Sequence, residues 1–132
     1  MIVGIGIDSI EIERFAHWHT YPRTRLRRIF SDKEIDYCLQ SSSMSAERFA
    51  LRFSAREAFF KALNTYLEGQ TPRLLTVCKH VRVEHIPTGG RLIQVDWQKL
   101  LSKSTTQRPI PTILCTFTHT KTVATAIIML QI

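Results

Sequence analysis

Residues 48–63 constrain the fold of this chain more than any other segment. They read RFALRFSAREAFFKAL, without a glycine or proline that would interrupt a helix. At about 100° per residue, bulky side chains such as Phe49 and Phe53 form one apolar face, and small ones such as Ala55 and Ala58 form the opposite face. A helix that is apolar on two sides is buried among other elements. The sequence therefore predicts a central helix.

Charged residues on such a helix need partners, because burial of an unpaired charge is costly. Glu57 and Lys61 are one turn apart, in a narrow sector between the two apolar faces, so a carboxylate and an ammonium can reach one ligand. Arg48, Arg52 and Arg56 form a second row at spacing four. An exposed Glu57–Lys61 ion pair, which contributes under about 1 kcal/mol, is the alternative interpretation, and the helix alone does not decide between the two.

Residues 2–12 predict a β-strand that carries an acidic residue, Asp8. Apolar side chains alternate there with small or acidic ones: Val3, Ile5 and Ile7 against Gly4, Gly6 and Asp8. The glycines are expected to clear space beside Asp8, so that its carboxylate can accept a ligand or a metal ion. A strand-end residue that caps a turn is the alternative. A dinucleotide-binding loop is excluded because the third glycine of that motif is absent.

The rest of the chain predicts helices followed by antiparallel strands. Ser31 and Glu34 have capping-box spacing at the start of a helix, and residues 87–90 form a hairpin turn. Strand-like patterns occur at residues 74–77, 79–86, 91–95, 112–118 and 123–130, and a short helix is expected at residues 97–103. This order indicates one α+β domain, residues 1–132, with an antiparallel sheet and a long central helix.

The chain is basic, with a formal charge of +7. No acidic residue lies between Phe15 and Ser31, and four arginines fall within six positions there: Arg23, Arg25, Arg27 and Arg28. An acidic partner is implied, which by charge alone could be nucleic acid, a phosphorylated small molecule or an acidic protein.

Cysteine content and hydropathy bear on the compartment. The three cysteines are widely spaced and form no zinc motif. We expect no signal peptide and no membrane span, because the apolar start lacks a basic region and no apolar run is long enough to cross a bilayer. A cytoplasmic location is the expectation.

Four segments, in order and at similar spacing, resemble the holo-acyl-carrier-protein synthases, a family of small phosphopantetheinyl transferases. They are GIGIDSIEIERF, RIFSDKEIDYC, RFALRFSAREAFFKAL and CTFTHTKTVATAIIML. The resemblance covers nearly the whole chain. It implies a homotrimer with active sites at subunit interfaces. The implied reaction moves phosphopantetheine from coenzyme A to a serine of an acidic acyl carrier protein in fatty acid biosynthesis, requires Mg²⁺ and releases adenosine 3′,5′-bisphosphate.

The resemblance also assigns residues. Asp8 and Glu57 match the metal-binding carboxylates, and Lys61 matches the lysine that contacts phosphate. The other expected coenzyme A contacts are Arg52, Arg56, Thr65, Thr118 and His119. The expected carrier-protein docking residues are Arg14, Arg25 and Arg28. The chemistry agrees, because displacement at phosphorus needs charge neutralisation and Mg²⁺ prefers oxygen ligands.

The sequence offers two candidates for the general base. A metal-bound water, or Glu57 through a water, could accept the serine proton. Arg56 replaces a family lysine, and Asn64 and Tyr66 replace the glycines of a Gly-Thr-Gly loop, which bears on coenzyme A fit. A relative that binds coenzyme A or carrier protein without transfer is therefore one alternative. A small basic nucleic-acid-binding module is the other, although it would have no use for Asp8 or Glu57.

Overall fold

A three-stranded antiparallel sheet and one long helix form the frame of the fold. The computed structural model describes residues 1–101 and 107–132. The sheet contains β1 (Ile2–Glu11), β4 (Thr112–His119) and β5 (Val123–Gln131), with β5 in the middle, and helix α3 (Ser45–Tyr66) packs against it. A hairpin of β2 (Val81–Ile86) and β3 (Gly90–Val95) forms a second sheet. The predicted α+β class is confirmed.

Shorter helices connect these elements. They are α1 (Arg23–Leu26), α2 (Asp32–Leu39), α4 (Leu74–Lys79), α5 (Trp97–Leu101) and two 3-10 helices, Ile12–Phe15 and Trp18–Thr20. The predicted capping box is confirmed, since the Ser31 side chain accepts a hydrogen bond from the Glu34 N–H and the Glu34 side chain accepts one from the Ser31 N–H. Residues 102 and 103 of the expected helix, and 104–106 of the segment after it, lie outside the described residues.

The strand predicted at residues 74–77 is wrong, because this segment begins helix α4. Leu74, Val77 and Cys78 have the spacing of one helix face. Val77 and Cys78 are fully buried. The helical arrangement thus buries two adjacent residues, which a strand would place on opposite faces.

Helix α3 is central, as predicted. Residues 49–56 are all buried, including Arg52 and Arg56. One apolar cluster packs against the first half of the helix and a second one against its other half. Every charged group on this part of the helix must therefore find its partner inside the protein or in a ligand.

Three turns of α3 lie directly on three alternate residues of β1. The Ser54 hydroxyl donates to the Asp8 carbonyl oxygen at 2.8 Å. A Cβ atom at Gly6 would overlap the Ala58 carbonyl oxygen, and one at Gly4 the carbonyl of the next turn. Four helix residues rise about 6 Å and two strand residues about 6.6 Å, so the registers stay matched. The sequence-based expectation that the glycines leave open space beside Asp8 is wrong, because the α3 backbone fills that space.

The outer face of the three-stranded sheet is apolar and exposed. Ile5 and Ile7 point away from α3 and are 57% and 56% exposed. Strand pairing places Met129 and Ile127 beside them, with Leu114 opposite Met129 on β4. A contiguous apolar patch of this kind marks an interaction surface. The patch lies on strands, and none of the helices in the described part of the chain is long and apolar enough to span a membrane.

Candidate active site

Asp8, Glu57 and Lys61 meet at the β1 edge of the sheet. The Lys61 Nζ donates to Asp8 Oδ1 at 3.2 Å and to the Ile7 carbonyl oxygen at 2.9 Å. The Glu57 carboxyl lies close enough to the Asp8 carboxyl for the two groups to influence each other's ionisation. The lysine therefore pairs with the strand carboxylate, and no Glu57–Lys61 ion pair is present in the structure as described. Two carboxylates and one ammonium share a single site, as their ligand-binding interpretation requires.

The electrostatics of this site are unbalanced. Burial raises the pKa of Glu57, and the neighbouring Asp8 carboxyl raises it further, although the positive charges of Arg14 and Lys61 oppose the shift. Two adjacent carboxylates resist simultaneous ionisation. An additional cation bound at the site would reduce the repulsion between the two carboxylates.

The residues present fit a magnesium ion. Asp8 is only 7% exposed, and its Oδ2 atom is buried without a hydrogen-bond partner. A buried carboxylate oxygen without a partner is unfavourable unless a ligand binds to it. Within residues 1–101 and 107–132, no cluster of three or more His, Cys, Asp or Glu side chains could hold a metal. Mg²⁺ suits a site with two carboxylates, because it commonly takes one or two from the protein and completes its shell with substrate phosphate and water.

Arg56 lies in an internal network instead of facing a ligand. It is fully buried, and its guanidinium binds both carboxylate oxygens of Glu34 at 2.7 and 2.8 Å. Its other N–H groups donate to the carbonyl oxygens of Val81, Cys78 and Arg52. All five donors are used, so Arg56 has no free N–H with which to make the coenzyme A contact expected from the sequence. The reason is that the buried capping residue Glu34 requires a counterion.

Arg52 has a different environment, at the wall of a cleft of about 560 Å³. It is 1% exposed, and no carboxylate lies within ion-pair distance in the described part of the chain. One Nη donates to the Arg48 carbonyl oxygen at 3.3 Å, the other contacts His85 Nε2 at 3.0 Å, and Nε is buried without a partner. Sequence patterns gave no signal for His85 or for Tyr37, which also lines the cleft, because helix packing brings them together.

The other expected coenzyme A contacts lie on two separate elements. Thr65 is exposed, one turn beyond Lys61 on α3, and donates to the Lys61 carbonyl oxygen. Thr118 and His119 are exposed at the end of β4, and His119 Nε2 lies 3.2 Å from the Glu47 carboxylate.

The predicted residues do not converge within one chain. Arg52 and Glu57 are five residues apart on α3, so their side chains point about 140° apart around the helix axis. Asp8 lies on β1 and His119 on β4, at opposite edges of the sheet. The structure thus brings Asp8, Glu57 and Lys61 together, with Thr65 one turn beyond Lys61 and Arg14 near Glu57. It places Arg52, Thr118 and His119 on other surfaces.

The changes at the family's glycine loop have a structural explanation. Helix α3 continues through Asn64 and Tyr66. Tyr66 is 5% exposed, its hydroxyl donates to the Pro109 carbonyl oxygen, and its own carbonyl accepts from Arg108. The residue anchors the segment before β4, which accounts for a large side chain there.

The basic segment divides into paired and unpaired arginines. Arg23 and Arg27 both form ion pairs with Asp32. Arg25 and Arg28 are exposed and have no ion-pair partner among the residues that the structure describes. The available positive charge on this segment is therefore concentrated at Arg25 and Arg28.

The fold places the chain in a known structural class. It superposes on the Chronobacterium ammoniagenes ACPS–CoA complex with a TM-score of 0.76 at 23% identity, covering 97% of this chain and 96% of that one. A holo-(acyl-carrier-protein) synthase from Bacillus anthracis in complex with CoA (3′,5′-ADP) gives a TM-score of 0.73 at 24% identity, covering 98% and 96%. At these identities the likeness establishes the fold.

Sequence comparison then gives the family. The holo-[acyl-carrier-protein] synthase of Treponema denticola is 31% identical over 131 residues, 99% of each chain. That of Geotalea daltonii is 46% identical over 70 residues, 52% of this chain, so the match spans about half, 55%, of that relative. The family model described as the 4′-phosphopantetheinyl transferase superfamily matches residues 4–120. The chain belongs to this superfamily, and the resemblance drawn from the four motifs is confirmed.

Proposed function

We propose that this protein transfers phosphopantetheine from coenzyme A to a serine hydroxyl of an apo acyl carrier protein, as part of fatty acid biosynthesis. The other product is adenosine 3′,5′-bisphosphate. A relative aligned along its whole length is a holo-[acyl-carrier-protein] synthase. The observation that carries the proposal is the contact between Asp8, Glu57 and Lys61. Their charges suit displacement at phosphorus, which depends on neutralisation and alignment more than on covalent catalysis.

Each of the three side chains has a role in this mechanism. Asp8 and Glu57 would hold Mg²⁺, which when bound neutralises phosphate oxygens. Lys61 Nζ uses two of its three hydrogens within the protein and its side chain is 53% exposed, so the third can bind the pyrophosphate. There its charge would stabilise the leaving phosphate. Glu57, with its raised carboxyl pKa, is our candidate to accept the serine proton through a water.

Coenzyme A would be held by residues from two subunits. Arg52 offers a buried guanidinium without a carboxylate partner, and His119, Thr118 and Thr65 offer exposed polar groups. Thr65 lies one turn beyond Lys61, but Arg52, Thr118 and His119 lie on other surfaces of the chain. A second copy is therefore needed to bring Arg52, Thr118 and His119 to the Asp8 site. This supports sites between subunits, and the resemblance to the synthase family makes a homotrimer the proposed assembly.

The exposed apolar face of the sheet is the proposed trimer contact. Replacing Ile7 by lysine should convert the trimer into monomers and abolish transfer, because it puts a charge in the apolar interface and separates the two halves of each site. Leu75→Lys is a matched control for the mass measurement, since Leu75 is also 56% exposed but lies on α4, beside Arg25 and Arg28 and away from the sheet. Light scattering coupled to size exclusion would measure the mass. A fully active wild-type monomer would contradict the proposed trimer.

The carrier protein would dock on the exposed arginines Arg14, Arg25 and Arg28. Acyl carrier proteins are acidic, and complementary charge steers association. Arg14 is also close enough to Glu57 to oppose its pKa shift, so a partner bound there would lie beside the site. A cytoplasmic location is proposed as well, because all three cysteines are free.

The alternative without turnover rests on Arg56, Asn64 and Tyr66. Arg56 and Tyr66 have packing roles here, and Asn64 accepts a hydrogen bond from Thr71 at 3.0 Å. These residues therefore supply no reason to expect loss of transfer.

The test is the intact mass of apo acyl carrier protein after incubation with this protein, coenzyme A and Mg²⁺. We expect a mass gain of one phosphopantetheine group that a chelator abolishes. No gain with several carriers, although coenzyme A binds, would favour a binding protein without turnover. Salt-sensitive binding of DNA or RNA without binding of coenzyme A would instead favour the nucleic-acid module.

A further inference from the structure

Arg52 is a buried cation that the protein does not neutralise. It has no carboxylate partner in the described ranges, and its Nε is buried and unpaired. The neighbouring Arg91 also has a buried, unpaired Nε, and its charge acts on Arg52 in the same direction as burial. A buried guanidinium without a counterion is costly. This end of the cleft would therefore be stabilised by an anion.

The contact between Arg52 and His85 fixes the state of the imidazole. A guanidinium only donates hydrogen bonds, so His85 Nε2, at 3.0 Å from Arg52 Nη2, must be the acceptor. The ring is then neutral, with its proton on Nδ1. It packs on the Tyr37 ring with centroids 4.5 Å apart, and Tyr37 also lies against the Arg52 guanidinium. Three elements, α2, α3 and β2, thereby hold the guanidinium in one orientation.

We propose that neutral His85 is a positioning residue that orients Arg52 to receive an anionic phosphate group of coenzyme A. The inference rests on the proposed function and adds to it a residue that neither the motifs nor family membership assigns. Without the imidazole acceptor, the Arg52 side chain keeps one weak hydrogen bond, to the Arg48 carbonyl oxygen at 3.3 Å, and its contact with the face of Tyr37. The guanidinium would then lose the orientation in which its charge faces the cleft.

The positive charges around His85 give the arrangement a pH dependence. The ring packs on Tyr37 of α2, pairs with Arg52 of α3 and lies opposite Arg91 on β3, with Arg48 close enough for its charge to act on it. The other charged side chains that line the cleft are Asp32, Lys33 and Glu34 on α2 and Arg82 and Glu84 on β2. Burial lowers the pKa of His85 below 6.5, and the charges of Arg52, Arg91 and Arg48 lower it further. As the pH falls through this lowered pKa, the ring gains a proton, can no longer accept from Arg52, and coenzyme A binding should weaken.

The test compares His85→Ala, His85→Gln and the control His80→Ala in the full-length protein. His85→Ala should raise KM for coenzyme A about tenfold, the value of a charge-assisted hydrogen bond, and leave kcat within about twofold. The side-chain oxygen of glutamine can accept in place of Nε2, so His85→Gln should restore KM and remove its rise at acidic pH. His80 is partly exposed between α4 and β2, and His80→Ala should match wild type.

Two results would overturn the proposal: an unchanged KM in His85→Ala, or a His85→Gln variant that fails to restore it while its melting temperature equals that of wild type. Isothermal titration with coenzyme A separates this proposal from the proposed function. Coenzyme A binding that depends on His85, in a protein that modifies no carrier, would support the positioning role and refute the transferase.

Discussion

Replacing Arg56 by methionine is expected to lower the free energy of unfolding by about 4 kcal/mol, a large effect for one substitution. The change leaves the Glu34 carboxylate, 2% exposed, without its counterion. It also removes donors from the Val81 and Cys78 carbonyl oxygens. Urea denaturation followed by circular dichroism at neutral pH would measure the loss.

A double variant tests the cause. Adding Glu34→Gln to Arg56→Met removes the uncompensated charge, and the glutamine oxygen can still accept from Ser31, as Glu34 does at 3.0 Å. The double variant should recover at least half of the lost stability. If it is no more stable than Arg56→Met alone, the buried charge is not the source of the effect.

As the pH falls, the stability of the wild-type protein and that of Arg56→Met should change in opposite directions. Burial disfavours the Glu34 charge, but the charge and hydrogen bonds of Arg56, with those of Ser31, hold its carboxyl pKa below 4.5. The wild-type pair therefore stabilises the fold above 4.5, and that contribution is lost as the pH falls through the lowered pKa. In Arg56→Met, burial dominates and raises the pKa. That variant should therefore become more stable on acidification from about pH 7 to about pH 5.

Local signals in the sequence predicted most of the elements. The capping box of Ser31 and Glu34, the hairpin turn and the alternation in β1 each depend on residues close in the chain. The helix at residues 74–79 was missed because a short apolar run fits a strand or a helix until its burial is known. The sequence also did not reveal which face of β1 is exposed. Its glycines face the interior, and its isoleucines face outward, because the backbone of α3 lies directly against the glycines.

The candidate site was predictable only in part, for the same reason. The spacing of Glu57 and Lys61 placed both on one sector of α3, but the contact between Lys61 and Asp8 joins residues far apart in the chain. In the sequence, Arg52 and Arg56 look equivalent, because they are the same residue type one turn apart on one helix. Only the packed structure separates them, because one meets the carboxylate of Glu34 and the other meets the neutral ring of His85.

Glu57→Gln should slow phosphopantetheine transfer about a thousandfold and, in the absence of Mg²⁺, stabilise the fold. Transfer slows because one of two proposed metal ligands loses its charge. Stability rises because Asp8 and Glu57 no longer compete for ionisation at a site that raises the pKa of Glu57. Such opposition between activity and stability is common at functional sites. Intact-mass assays and urea denaturation in chelator would measure the two effects.

The sign of the stability change follows from the direction of the pKa shift. Since the folded pKa of Glu57 is raised above 4.5, the folded protein binds this proton more tightly than the unfolded chain does. The cost of ionising Glu57 therefore appears as the pH rises through the raised pKa. The advantage of Glu57→Gln should be present at neutral pH and disappear below about 4.5.

Magnesium gives the matching test that does not depend on turnover. A ligand that binds only the folded state raises the melting temperature, so Mg²⁺ should stabilise wild type at neutral pH but not Glu57→Gln. The control Glu68→Gln changes a side chain that is 75% exposed, after the end of α3, and should keep both the Mg²⁺ response and transfer. A Glu57→Gln protein that transfers at the wild-type rate would refute the ligand role. One that is destabilised in chelator would instead show that the two carboxylates do not oppose each other, and that the orphaned Asp8 oxygen needs a different explanation.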